Sequence, residues 1–219
     1  MIYLENIFIG LTVPFIIAAC LLKGETRRFL VFFSLGLLAC LLSAHINSTL
    51  AAAVFNNGCA SLTMRQAMAQ VTPICEEVMK TLPVFFFMAR GPKRENIIAA
   101  SLAVGLGFAT FENCWYIIEY GSADFLYALT RSFSAGLTHA VCAAILGWGL
   151  ALTYGCGRLA VPCAFALLCA TSTFHAIYNL LAAADGAWRI AGYILPVTTA
   201  GAILFFSKWP GKETDVKQE

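Results

Sequence analysis

Seven long apolar stretches, separated by short charged or turn-rich breaks, make up most of this chain: residues 6–22, 29–46, 66–89, 96–118, 128–154, 159–184 and 190–207. An α-helix rises about 1.5 Å per residue, so roughly 20 apolar residues cross the ~30 Å hydrocarbon layer of a bilayer. Charged side chains are only 12% of the chain and the mean hydropathy is +0.78, against about 25% charged in an ordinary soluble domain. A soluble globular protein is excluded, and 219 residues leave no space for a sizeable soluble domain beside the spans. The pattern predicts an all-α, polytopic transmembrane helix bundle of about seven spans. It forms one integral membrane domain over residues 1–209, followed by a short cytoplasmic tail at 210–219. The 47–63 segment, with Asn56-Asn57-Gly58, reads as a loop. Its Ala51-Ala52-Ala53-Val54-Phe55 core dips into the interface and leaves room for an eighth, partial helix.

Orientation follows from the basic residues, because Lys and Arg near span ends stay on the cytoplasmic side. Ten fall on one side: Lys23, Arg27, Arg28, Arg90, Lys93, Arg94, Arg158, Lys208, Lys212 and Lys217. The other side gathers Arg65, Arg131 and Arg189 with Glu5, Glu119, Asp124 and Asp185. The N-terminus is therefore expected outside and the C-terminus in the cytoplasm, in a multi-pass cell-membrane protein. A formal charge of +2, with no basic block interleaved with aromatics, argues against nucleic acid as a partner. The nine cysteines contain no C-x-x-C pair and read as small membrane-packing residues.

An ionisable side chain at the bilayer centre costs at least about 2.5–3.5 kcal/mol, so each one requires a partner or a purpose. The residues needing that explanation are Glu76, Glu77 and Lys80 in one span, Glu112 and Tyr116 in the next, then His139, then His175 with Asn179; His45 near the end of the second span reads as interfacial. Counted from the predicted outer ends, Glu112, His175, Glu76 and His139 lie at depths of about 9–17 Å. Independent accidents would scatter in depth. A shared layer points to one buried polar chamber, which is the central inference from the sequence.

Within it, Glu76 and Lys80 are spaced i,i+4, which lets the ammonium partly neutralise the carboxylate. Two adjacent carboxylates in a low-dielectric interior do not both ionise cheaply, so one of Glu76 and Glu77 is suited to carry a proton in general acid/base work. His175 and Asn179 repeat the i,i+4 spacing, presenting an imidazole and an amide that suit a developing oxyanion. Glu112 and Tyr116 are spaced the same way. Pro73 and Pro83 flank the glutamate pair and mark a kinked span, while Ala103, Gly105, Gly107 and Ala109 allow close helix approach.

Known signatures of membrane-embedded proteolysis narrow the chemistry. No His precedes a Glu, so the H-E-x-x-H zinc motif is absent; there is no G-x-S-x-G, and no Asp lies within a predicted span. Glutamate and histidine remain. A transporter uses the same residue types, but no internal inverted repeat is visible. A non-catalytic scaffold or binding subunit has no need of a complete acid/base set. An enzyme is the reading adopted.

At these residues the sequence resembles the PrsW family of intramembrane proteases, in the superfamily that also holds the CAAX prenyl proteases, bacteriocin-processing relatives and the Aph-1 scaffold of gamma-secretase. Four elements match in order: Glu76-Glu77-x-x-Lys80; Gly107 with Phe111-Glu112-x-x-x-Tyr116; His139 followed by Gly147; and His175-x-x-x-Asn179. They span residues 66–182. The CAAX branch has F-x-x-x-H in the second element and arginine at the end of the first; Tyr116 and Lys80 stand there instead, which favours PrsW over prenyl-protein processing. The resemblance implies an intramembrane endopeptidase acting on a membrane-anchored protein, such as an anti-sigma-factor-like regulator, in the outer half of the bilayer. It implies Glu76 as general base, Glu77 as second carboxylate, and His139 or Glu112 as the partner holding the water. His175 and Asn179 would stabilise the oxyanion, with Lys80 and Tyr116 in support. The family has been described as metallopeptidase, and two histidines with up to three glutamates suffice for an open zinc site. No ligand spacing here is diagnostic of one, so the chain is read as free of cofactor. Glu76, Glu112, His139 and His175 are the ligands if a metal is bound.

Overall fold

The computed structural model describes residues 26–55, 62–120 and 124–208. They form α1 (Thr26–Phe55), α2 (Leu62–Met88), α3 (Arg94–Tyr120), α4 (Phe125–Thr153), α5 (Ala160–Ala183) and α6 (Ala187–Lys208), with a single 3-10 turn (Gly157–Leu159) leading into α5. Among the described residues there are thus six helices, not seven or eight; the expected span at 6–22 and the expected tail at 210–219 lie outside them. The expected loop at 47–63 is also corrected, because α1 continues to Phe55. Ala51-Ala52-Ala53 are strong helix formers, and their propensity carries the helix past the polar Asn47-Ser48-Thr49 step. Residues 56–61 are outside the described set.

Five of the six helices, α1 and α3 to α6, are long and apolar enough to cross a membrane. Helix α2 has 27 residues, about 40 Å of helix, and differs in carrying Glu76, Glu77 and Lys80 in its interior. The chain is a multi-pass membrane protein.

Helix α3 is the centre of the bundle: residues 101–110 are all buried, between α1 on one side and α4 on the other. Small residues make this possible. A Cβ on Gly107 would fall 2.0 Å from the Phe33 carbonyl oxygen of α1, and one on Gly36 would fall 2.1 Å from that of Val104. Gly105 does the same toward α4, where a Cβ would meet the Ala143 Cβ at 2.6 Å and the His139 carbonyl oxygen at 3.0 Å. Helix backbones in contact give the dispersion and close packing that replace a hydrophobic driving force inside lipid. Helix α5 packs on α4, α6 and α2, and α6 lies at the edge. Helix α2 stays helical through Pro73 and Pro83, as spanning helices tolerate.

Helix alternation places the start of α1, the end of α2, the start of α3 and the end of α4 together. Two contacts confirm it: the Arg28 guanidinium lies 6.0 Å from the Phe87 ring, and Tyr154 Oη donates to the Met88 carbonyl at 3.1 Å. This end carries Arg28, Arg90, Lys93, Arg94 and Arg158. An apolar core of Phe32, Val84, Ile97, Val104, Leu146 and Leu150 fills the bundle just inside it. The polar residues lie beyond that core, toward the opposite end.

Candidate active site

Four helices contribute to one buried cluster. Helix α2 supplies Glu76, Glu77 and Lys80, α3 supplies Glu112, α4 His139 and α5 His175. His139, His175 and Glu77 are each 1% exposed, and Lys80 3%. Such burial is affordable only if the groups satisfy one another, and they form a continuous chain. Glu112 Oε2 lies 2.7 Å from His139 Nε2, His139 Nδ1 lies 2.9 Å from Lys80 Nζ, Lys80 Nζ lies 2.5 Å from Glu77 Oε1, and Glu77 Oε1 lies 2.9 Å from His175 Nδ1. The Phe108 ring walls one side, with its centroid 4.8 Å from Lys80 Nζ and 5.1 Å from the His139 ring.

The chain of contacts fixes hydrogens. An ammonium donates and never accepts, so with Lys80 charged, His139 Nδ1 accepts and the His139 hydrogen sits on Nε2, donated to Glu112. His175 is placed the other way round: Nδ1–H donates to the Glu77 carboxylate, which in the neutral imidazole leaves the lone pair on Nε2. That nitrogen faces Glu76 Oε2 at 3.6 Å, beyond hydrogen-bond length. Glu76 Oε2 is buried and has no hydrogen-bond partner. His175 Nε2 and Glu76 Oε2 face each other without a hydrogen bond between them, at a separation that an ion bound to both would span.

The expected Glu76–Lys80 pairing is corrected: the ammonium bonds Glu77, at i,i+3. Both spacings place side chains on neighbouring faces; Glu77 holds the ammonium because its Oε1 also receives His175. Asn179 lies one turn further along α5, partly buried, and is not joined to this network; its neighbour Tyr178 is the buried residue, with Oη 2.9 Å from Ser134 Oγ. Tyr116 is 37% exposed and stacks under Arg131, whose guanidinium carbon is 3.8 Å from the ring centroid. Neither Gly107 nor Gly147 touches the cluster as chemistry; Gly147 is where Ser101 packs. His45 is exposed.

Sequence reasoning missed a second polar layer beside the first. Arg131 Nη1 donates to Asn113 Oδ1 at 3.1 Å and Asn113 Nδ2 donates to the Ser132 carbonyl at 3.2 Å. Arg131 is close enough to Glu112 for their charges to interact. The signal was present, since Arg131 falls inside the predicted 128–154 span and an ionisable residue there required the same explanation as the others.

A helix bundle enclosing carboxylates and imidazoles, with a carboxylate oxygen and an imidazole nitrogen facing each other, is an arrangement compatible with acid/base or metal chemistry. The chain belongs to the PrsW family: the family model, described as PrsW family intramembrane metalloprotease, matches residues 25–207. It is by that membership a membrane protease. No curated protein and no solved structure matches the chain.

The family description includes a metal, whereas the sequence was read as metal-free. The residues present fit one. Ligand atoms of Glu76, His139 and His175 lie within 4.8 Å of one another, and the open Glu76–His175 gap of 3.6 Å is near the ~3.4 Å separating two ligands of a tetrahedral zinc at about 2.0–2.1 Å. Glu77 stands behind His175 as carboxylates do behind metal-bound imidazoles. Glu112 is not in this set; its place is against His139.

Proposed function

We propose that the chain hydrolyses a peptide bond of a membrane-anchored protein, within the membrane, using Glu76 and His175 as the reacting groups. The observation that carries this reading is the unpartnered, buried Glu76 Oε2 facing His175 Nε2. A water entering beside these two atoms reaches Glu76 Oε2, which has no other partner. Glu76 accepts its proton as the water oxygen bonds to the scissile carbonyl carbon, and returns that proton to the amide nitrogen as the carbon–nitrogen bond breaks. Glu77 holds His175 in the tautomer that keeps Nε2 open, and Lys80 balances the Glu77 charge. Glu112 fixes His139 from the far side. Asn179, one turn from His175 on the same helix, supplies an amide for the carbonyl oxygen as charge develops. Glu76 and His175 are the residues that would hold a divalent metal, joined by His139 once its imidazole gives up its contact with Lys80 or Glu112; when bound, the metal would supply Lewis-acid polarisation.

The basic end, with Arg28, Arg90, Lys93, Arg94 and Arg158, supports a cytoplasmic placement of that end. The cluster then sits toward the outer half of the bilayer, and the C-terminus is cytoplasmic. A single-span regulator of the anti-sigma-factor type, cut on that side, is the substrate class this placement favours.

The test is reconstitution of the full chain in vesicles with a single-span reporter. Cleavage by the wild-type protein, lost in Glu76→Gln and in His175→Ala while both elute as folded protein, is the expected result. Unchanged cleavage by either variant removes that residue from the reaction. A chelator in the same vesicles, followed by metal return, reads whether the donor set is loaded.

A further inference from the structure

A groove of about 420 Å³ runs along the outside of the bundle between α1 and α2, and none of the cluster's titratable residues lines it. Val31 to Leu42 of α1 and Met79 to Phe87 of α2 form its walls, with Arg90 in the turn beyond α2. Eleven residue steps along α1 give a length of about 16 Å, close to the ~15 Å of one leaflet's hydrocarbon. Its lining is apolar except at one end, where Arg90 closes it. The Arg28 guanidinium lies 6.0 Å from the ring of Phe87, another lining residue, so a cation from α1 and one from the turn after α2 flank the same mouth. Lys93 and Arg94 follow, both exposed, with Glu95 the acid nearby in sequence.

The length and the placement of charge select the occupant: an acyl chain spans one leaflet and carries its anionic headgroup at one end, where Arg90 and Arg28 stand. We propose that the groove binds an anionic glycerophospholipid, one acyl chain lying between α1 and α2 and the phosphate at Arg90 and Arg28. Basic pockets between spanning helices are how anionic headgroups are held. The site is independent of the protease reading. The inner end of the groove touches it only indirectly: Met79 and Ala39 line the groove and pack in the cluster that contains Phe108, the wall of the buried centre.

The experiment is native mass spectrometry of the full chain released from micelles holding phosphatidylglycerol or phosphatidylcholine with matched acyl chains. Retention of phosphatidylglycerol about tenfold above phosphatidylcholine is expected. Arg28→Gln with Arg90→Gln should remove that preference, and Leu35→Trp, which fills the groove and leaves the charges, should remove retention of either lipid. Equal retention of the two lipids by the wild-type chain overturns the proposal without any variant having to fold. So does a preference that survives the double substitution, or one lost only with Lys93→Gln and Arg94→Gln. Glycerophosphate competing as well as the whole lipid would show that the apolar groove plays no part and would equally overturn it.

Discussion

The two buried histidines lie ring to ring at 4.8 Å, nearly perpendicular, yet one is closed and the other open. Both nitrogens of His139 are engaged, by Lys80 and by Glu112. Only Nδ1 of His175 is, by Glu77, and its Nε2 faces an acid that has no partner of its own. The same residue type at the same depth is thus a tether in one case and an available lone pair in the other. What separates them is Lys80. An ammonium beside an imidazole takes its lone pair, and a carboxylate takes its hydrogen. The two imidazoles differ through their neighbours on α2 and α3, Lys80, Glu77 and Glu112, and not through their own chemistry.

Glu76→Gln tests the open side most severely. It keeps the volume and removes the proton acceptor, so reporter cleavage should fall by about 10²–10⁴ with little change in the unfolding midpoint; an equal loss from Glu112→Gln would erase the distinction between the two sides. Lys80→Met strands the Glu77 charge in a dry interior and should cost about 3–5 kcal/mol of stability, most of it restored by adding Glu77→Gln. Unfolding in a mixed-micelle titration reads both. Glu112→Gln and Glu77→Gln alter the orientation of one histidine each and should lower cleavage about 10–100-fold, measured with the same reporter. Gly107→Ala drives a methyl into the Phe33 carbonyl oxygen and should destabilise by about 1–3 kcal/mol through the α1–α3 crossing, leaving the cluster's chemistry alone. Tyr178→Phe deletes one hydrogen bond to Ser134 beside the second polar layer and should cost about 1 kcal/mol with cleavage near wild type.

Hydropathy made the membrane class legible, because roughly 20-residue apolar runs have no other stable use. It was a weaker guide to ends: Ala51-Ala52-Ala53 looked like an interfacial dip between polar residues, and helix propensity carried α1 through it to Phe55. Counting residues from span ends brought Glu76, Glu112, His139 and His175 to one layer, which is a one-dimensional property and readable from spacing. Which groups bond was not readable. Lys80 is within reach of both Glu76 and Glu77, and the choice depends on His175 arriving from α5 to share Glu77 Oε1. The i,i+4 spacing of His175 and Asn179 put both toward one side of α5, yet the rotation of that helix buries Tyr178 and leaves Asn179 partly exposed. Arg131 was counted as a marker of sidedness, and its contact with Asn113 shows that a long side chain near a span end reaches inward as readily as outward.

The central claim is that the open Glu76–His175 pair, not the closed Glu112–His139 pair, performs the hydrolysis. Single-turnover cleavage of one reporter by Glu76→Gln and Glu112→Gln, each reconstituted at equal density, measures it. The account predicts background rate for Glu76→Gln and a measurable rate within about 100-fold of wild type for Glu112→Gln; the reverse order, or wild-type cleavage by Glu76→Gln, would contradict it.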